Sequence, residues 1–191
     1  MEINTATINK YIDLLKEYNQ QVNIYSKKAY HHLDFHIQDS INIAKYVSEL
    51  GALKVIDLGS GSGLPSAINA IINPKIHCIA LESKEKKRTF LFHVKHHLNL
   101  TNYEIFEGDI QRFASLKNSH SDCYTAKAFA PIDKVIKTVK KLTKKPTKVI
   151  VPISHHQYTE LPDALQKFCE RRTVNNNNFI YLIKDLNSSP D

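Results

Sequence analysis

No stretch of this sequence approaches the roughly 20 apolar residues that a membrane-spanning helix needs. Its first ten residues, MEINTATINK, hold neither a basic segment nor an apolar one, so secretion is not expected. Cysteine is sparse: Cys78, Cys123 and Cys169 lie far apart with no CxxC spacing, which argues against a disulfide framework and against a zinc site. They read as buried thiols of a cytosolic protein. Glycine is also scarce, yet three of the five glycines, Gly59, Gly61 and Gly63, sit at alternate positions in the run VIDLGSGSGLP.

What is present describes an ordinary globular chain. The 191 residues are 42% apolar and 24% charged, enough for one compact unit with a proper core and too few for two full-sized domains. The net charge of +7 favours polyanionic partners. Its positive residues cluster as KEKKR at 84–88, KHH at 95–97 and KTVKKLTKKPTK at 137–148, which favours RNA or DNA as partner, with the runs at 84–88 and 137–148 expected to line one nucleic-acid-facing rim. The pairs His31-His32, His96-His97 and His155-His156 are read as solvent-facing rather than metal-binding. Neighbouring side chains point apart on a helix or a strand.

Two textures divide the chain. From Ile8 to Val22 apolar residues recur every three or four positions, and Ile37, Ile41, Ala44 and Val47 do so between about Asp34 and Leu50. These predict two amphipathic helices, a helical cap over 1–50. From Gly51 onward, β-rich runs alternate with helical patterns: KVID (54–57), IHCIALE (76–82), YEIFE (103–107), CYTAKAF (123–129) and KVIVPI (148–153). Such alternation predicts an α/β core over 51–191, with a mostly parallel sheet covered on both faces. RRTV and FIYLIK flank Asn175–Asn178, and asparagine tolerates left-handed backbone, so the sheet is expected to end in an antiparallel hairpin. The tail LNSSPD is expected to fray.

A glycine turn between a strand and a helix lets a ligand approach the main chain and aims backbone N–H groups at it. Asp57 ends the first strand of the core, and Glu82 ends the second, 25 residues later. In nucleotide-binding sheets an acidic residue there accepts both ribose hydroxyls. The pattern here is GxGxG rather than the GxGxxG of pyrophosphate sites, so an adenosine ligand without phosphate fits better than a dinucleotide.

VIDLGSGSGLP followed by ALES resembles the class I S-adenosylmethionine methyltransferases, a Rossmann-like fold. The resemblance narrows with VNIYS at 22–26, FHIQDSI at 35–41, GLPSAINAI after the turn, KKRTFLFHVKHHLNL at 86–100 and AKAFAPI at 126–132. Together, over about residues 10–153, these are similar to the glucose-inhibited division protein B family, which methylates guanine N7 in small-subunit (16S) ribosomal RNA. That resemblance implies S-adenosyl-L-methionine as cofactor, held by Asp57, Gly59, Ser60, Gly61, Gly63, Leu64 and Pro65, by Glu82 and Ser83, and by Asp109 and Ile110. It makes Lys127 the catalytic contact, while the basic run supplies Lys84, Lys86, Lys87 and Arg88, with Lys127, as charges to hold the RNA; His36 and Asp39, three apart on a predicted helix, share a face and are read as a hydrogen-bonded pair shaping the pocket. The implied partner is small-subunit ribosomal RNA or a small ribosomal subunit, met by a cytoplasmic monomer without membrane attachment.

The chain departs from that family around the RNA side. Phe35 stands where the family has arginine and Gln38 where it has leucine. Asp109 replaces a usual arginine, Lys127 replaces the arginine of Arg-Ala-Phe, and Pro152-Ile153-Ser154 takes the place of Leu-Lys-Gly. Lysine keeps the charge but loses the planar fork. Phe129 is read as a core aromatic, with stacking on an extruded base as the alternative. N7 of guanine carries a lone pair and loses no proton on methylation, so alignment rather than a general base is the requirement. Two other readings stay open: a methyltransferase of another substrate, and a non-catalytic RNA-binding or assembly protein that keeps the fold.

Overall fold

Helix α1 (Thr5–Gln21) turns Ile8, Tyr11 and Leu15 into the core. The Asn4 side chain caps it, accepting the Thr7 amide at 3.0 Å. A 3-10 turn (Lys27–His32) leads into α2 (Leu33–Glu49), which buries Ile37, Ile41, Ala44 and Val47 as its periodicity predicts. It also buries Asp39, Ser40, Asn42 and Tyr46, so polar groups reach its packed side. This computed structural model describes residues 4–116 and 119–187; most of the expected frayed tail lies outside the described residues.

From β1 (Lys54–Leu58) the chain alternates: α3 (Ser66–Ile72), β2 (His77–Glu82), α4 (Glu85–His97), β3 (Tyr103–Glu107), α5 (Ile110–Ala114), β4 (Cys123–Thr125), α6 (Ile132–Leu142) and β5 (Thr147–Ile153). Two short helices, α7 (His155–Glu160) and α8 (Asp163–Gln166), precede β6 (Cys169–Val174) and β7 (Asn177–Leu186). The sheet order is β3-β2-β1-β4-β5-β7-β6. The strand pairs from β3 through β5 are parallel, whereas β7 runs antiparallel to β5 and β6. Strand order reverses between β1 and β4, and ligands of open α/β sheets bind at that switch point, beyond the carboxyl ends of the strands.

The hairpin forms where the asparagines predict it. Asn175 and Asn176, at φ 50° and 62°, make the left-handed two-residue turn between β6 and β7. One strand is shorter than its β-rich run suggests: β4 ends at Thr125, and Ala128 adopts φ 51°, a left-handed backbone that no strand continues through.

Two cores sandwich the sheet. One face packs α1, α2, α3 and α4 through residues such as Tyr11, Val47, Ile68 and Phe90. The other packs α5 and α6 through Phe113, Val135, Val139 and Leu142. This corrects the expectation of a single basic rim. Residues 84–88 open α4 at the carboxyl ends of the strands, while the lysines of 137–145 lie on α6 and just past it, over the opposite face, where the chain heads back to the start of β5. No helix among the described residues is long and apolar enough to cross a membrane.

Candidate functional site

Gly59, Gly61 and Gly63 all have positive φ, at 70°, 59° and 91°. Space forbids a side chain at two of them as well. A Cβ on Gly59 would lie 2.6 Å from the Phe129 ring, and one on Gly63 would lie 2.9 Å from the Ala67 Cβ. The turn does not, however, offer its amides to a ligand in the manner expected. The Gly59 and Ser60 amides donate to the Leu81 carbonyl at 2.8 and 3.1 Å, and that of Gly63 donates to the Ser60 carbonyl at 2.8 Å. The Gly61 amide donates to Glu82 Oε2 at 2.9 Å. A phosphate-binding turn keeps such N–H groups free. Here they clamp the turn to β2, and what remains for a ligand is close approach to bare backbone.

Glu82 is the hinge of this clamp. Its other oxygen accepts the Lys84 amide at 2.8 Å, so the buried carboxylate is fixed at the carboxyl end of β2 with one lone pair per oxygen left over. A cavity of about 270 Å³ opens beside it, lined by Gly59, Leu81, Glu82, Ser83, Gly108, Asp109, Ile110, Gln111 and Phe129. Five predicted cofactor residues therefore meet in one space. Asp109 also caps α5, accepting the Arg112 amide at 2.8 Å. Phe129 closes the cavity against Gly59 and packs on the second core. Its ring therefore belongs to the small cavity rather than to an RNA surface.

The remaining turn residues support the cavity from outside it. Asp57 is buried, accepts from Thr125 Oγ1 at 2.7 Å through Oδ1, and leaves Oδ2 without a partner. Burial, opposed mainly by the Thr125 hydrogen bond, pushes its pKa up to about 6. The Ser60 hydroxyl donates to the Asp57 carbonyl at 3.1 Å. Leu64 is buried and is joined by a cis peptide bond to Pro65, which immediately precedes α3. The Tyr11 hydroxyl of α1 donates to the Ser62 carbonyl at 2.7 Å and holds the turn from the opposite side.

A second, larger cavity of about 940 Å³ opens between α2, the segment after β4, the end of β5 and the hairpin. Lys127 lines it, but not as a free cation. Its ammonium lies 2.7 Å from Asp39 Oδ2, with both side chains largely buried, and donates to the His36 carbonyl at 3.2 Å. Asp39 Oδ1 accepts the Tyr181 hydroxyl at 2.9 Å. The expected His36–Asp39 hydrogen bond is not formed, because α2 aims the carboxylate at Lys127, past the end of β4, and at Tyr181 of β7 instead. His36 Nδ1 is buried without a partner, and desolvation, with Lys127 nearby, holds the imidazole pKa below its usual value.

The two cavities share one strip of chain. Lys127 and Ala128 line the larger, Phe129 lines the smaller, and the left-handed backbone of Ala128 sends the neighbouring side chains apart. Of the α4 cations, Lys84 and Lys86 are exposed, and the Lys87 ammonium lies near Gly61, 3.8 Å from where a Cβ there would be. Arg88 folds back onto the carbonyls of Glu82 and Ser83. Sequence reasoning missed Tyr11, Thr125 and Tyr181 as parts of the site. Only the tyrosine of α1 carried any signal, as an apolar-face residue with a polar tip.

Comparison with known proteins agrees with this geometry. Residues 4–182 match the family model of the rRNA small subunit methyltransferase G. The ribosomal RNA small subunit methyltransferase G of Mycoplasmopsis pulmonis is 30% identical over 163 residues, 83% of this chain and 70% of that protein. The protein of the same name from Photorhabdus laumondii is 37% identical over 128 residues, 59% of this chain and 61% of that protein. Among solved structures, an O-methyltransferase from Bacillus cereus in complex with SAH superposes with a TM-score of 0.63 at 14% identity, covering 93% of this chain and 90% of that one.

Proposed function

The chain belongs to the rRNA small subunit methyltransferase G family, and from that premise we propose that it transfers the methyl group of S-adenosylmethionine to N7 of a guanine in small-subunit (16S) ribosomal RNA. The observation that carries this reading is the pair of cavities that meet at Lys127–Phe129. One has the form of an adenosine site, and the other lies beside the same strip of chain.

The residues fit the cofactor. Glu82 has a free lone pair on each oxygen for the two ribose hydroxyls, and Leu81, Ile110 and Phe129 offer apolar surface to adenine with Asp109 at the rim. Gly61, where an added Cβ would meet nothing nearer than 3.8 Å, lets the methionine portion lie against backbone near the Lys87 ammonium. When bound, the cofactor supplies an electrophilic methyl group on a sulfonium centre. No side chain has to remove a proton, because guanine N7 reacts through a lone pair. The work of this chain is alignment: the Ala128 backbone sets the angle between the two cavities, and the Lys127–Asp39 pair fixes the substrate wall.

In this reading residues 1–50 form a cap on the core at 51–191, since α1 holds the glycine turn through Tyr11 and α2 contributes Asp39. Lys84, Lys86 and Lys87 would meet RNA phosphate beside the site, with Arg88 bracing their helix. The protein acts as a monomer in the cytoplasm, where its ribosomal substrate is. Labelled cofactor, offered with deproteinised small-subunit RNA and with intact small subunits, tests the proposal. We expect label in 7-methylguanosine after digestion to nucleosides. Normal cofactor binding without transfer to either substrate overturns it.

A further inference from the structure

An aromatic ladder that the reaction described so far does not use reaches the wall of the larger cavity through Phe35 and Phe179. Phe35, near the start of α2, stacks on Phe179 of β7 with ring centroids 4.7 Å apart and an interplanar angle of 23°. Phe179 in turn lies nearly parallel to Tyr181, at 6.4 Å and 16°. The Tyr181 hydroxyl is fixed by Asp39 and Asn42, so the ladder is anchored to the same carboxylate that holds Lys127. Phe179 is buried, but Phe35 is 38% exposed, one of the few large apolar side chains of the described residues that face solvent. The His36 ring stands edge-on beside it at 5.7 Å.

Packing on Phe179 covers only one face of this ring. Phe35 rests on a rigid support and lines the cavity wall with Lys127 and Arg171. The Arg171 guanidinium is itself held over the Tyr158 ring at 4.8 Å. Among the described residues, Asp39, already neutralised by Lys127, is the one carboxylate on that wall. A flat apolar face beside a net positive lining suits an unpaired nucleobase whose flanking phosphates lie near the cation. An acidic peptide would use the charge but leave the stacked face unmatched. A preordered ring also loses little conformational freedom on binding.

We propose that Phe35, backed by Phe179, is the stacking platform for an unpaired base of the RNA substrate and positions that base in the cavity that Lys127 also lines. The inference rests on the RNA methyltransferase reading. Phe35 is a positioning residue: it lines the larger cavity and is not part of the cofactor site.

The chain has no tryptophan, so Phe35→Trp places a single indole at the platform. Its fluorescence should be quenched on titration with a short purine-containing single-stranded RNA. Phe35→Trp and Phe35→Tyr should retain RNA affinity within about threefold. Phe35→Leu and Phe35→Ala should both weaken it by an order of magnitude or so, the effect of losing one base–aromatic stack. S-adenosylmethionine affinity and thermal midpoint, measured on each variant, should stay close to the parent. Transfer assays should show the loss chiefly in KM. If Phe35→Leu binds RNA as tightly as the parent, the ring is packing and the proposal fails, whether or not methyl transfer is seen. If affinity follows aromaticity but no RNA accepts a methyl group, the platform stands and the methyltransferase reading fails. Dependence on Phe35 seen with intact subunits and absent with naked RNA would assign the patch to a protein surface and overturn the proposal.

Discussion

The Tyr11 hydroxyl donates to the Ser62 carbonyl at 2.7 Å across 51 residues of sequence, joining the first helix to the middle of the glycine turn. Both groups are buried, and desolvation raises the Tyr11 pKa far above that of a free phenol, so the hydroxyl keeps its proton across the working pH range. Tyr11→Phe removes the donor and leaves a buried carbonyl unpaired, which should destabilise the fold by about 1–3 kcal/mol. Because that carbonyl belongs to the turn, S-adenosylmethionine affinity should also fall by several-fold. Calorimetric titration and a melting curve on the same preparation check both.

Glu82 has two tasks, and their effects should separate by variant. Glu82→Ala loses the anchors of the Gly61 and Lys84 amides as well as the ribose acceptors. It should weaken S-adenosylmethionine by about 1.5–3 kcal/mol or more and lower the melting temperature. Glu82→Gln keeps one amide anchor and one acceptor, so it should fall between parent and alanine in both measurements. Unchanged cofactor affinity in Glu82→Ala would place the ribose elsewhere.

The Lys127–Asp39 pair changes what substitution at Lys127 means. Lys127→Ala leaves a buried carboxylate without its cation, for which a loss of about 3–5 kcal/mol in stability is expected. Adding Asp39→Asn should restore most of that stability, because the introduced side-chain amide can still accept from the Tyr181 hydroxyl through its oxygen. Methyl transfer by the double variant should nevertheless stay at least tenfold below the parent. Recovery of full activity along with stability would show that Lys127 only holds the wall.

Asp57 gives a pH signature. Its pKa rises in the fold from 3.8 to about 6. A raised carboxyl pKa stabilises the native state most below about 4, and that contribution is lost as pH rises through 6. Relative to Asp57→Asn, the parent should therefore lose stability between about pH 4 and 6, by an amount on the order of 3 kcal/mol. Denaturant titrations of both proteins at several pH values measure the difference. Parallel curves would locate the shifted carboxyl elsewhere.

Much of this protein was determined by its sequence locally. Periodicity placed α1 and α2 to within a few residues, because a helical face needs only spacing that the chain itself carries. The strand–helix alternation dictated the sheet, and Asn175 and Asn176 pointed to the hairpin, since asparagine adopts left-handed backbone more readily than most residues. That the glycine turn and Glu82 border one site was also legible, as both lie at strand ends separated by one crossover, whereas the hydrogen bond from the Gly61 amide to Glu82 was not. Tertiary structure decided the rest. Whether α4 and α6 share a face depends on strand order, which no single segment encodes. The partners of Asp39 come from β7, 142 residues away, and from the segment after β4, so its neighbour His36 on the same helix face was a false lead. The stacking of Phe35 on Phe179 is of the same kind: side chains distant in sequence meet only when the sheet has closed against its helices, and their contact is a property of packing rather than of either segment.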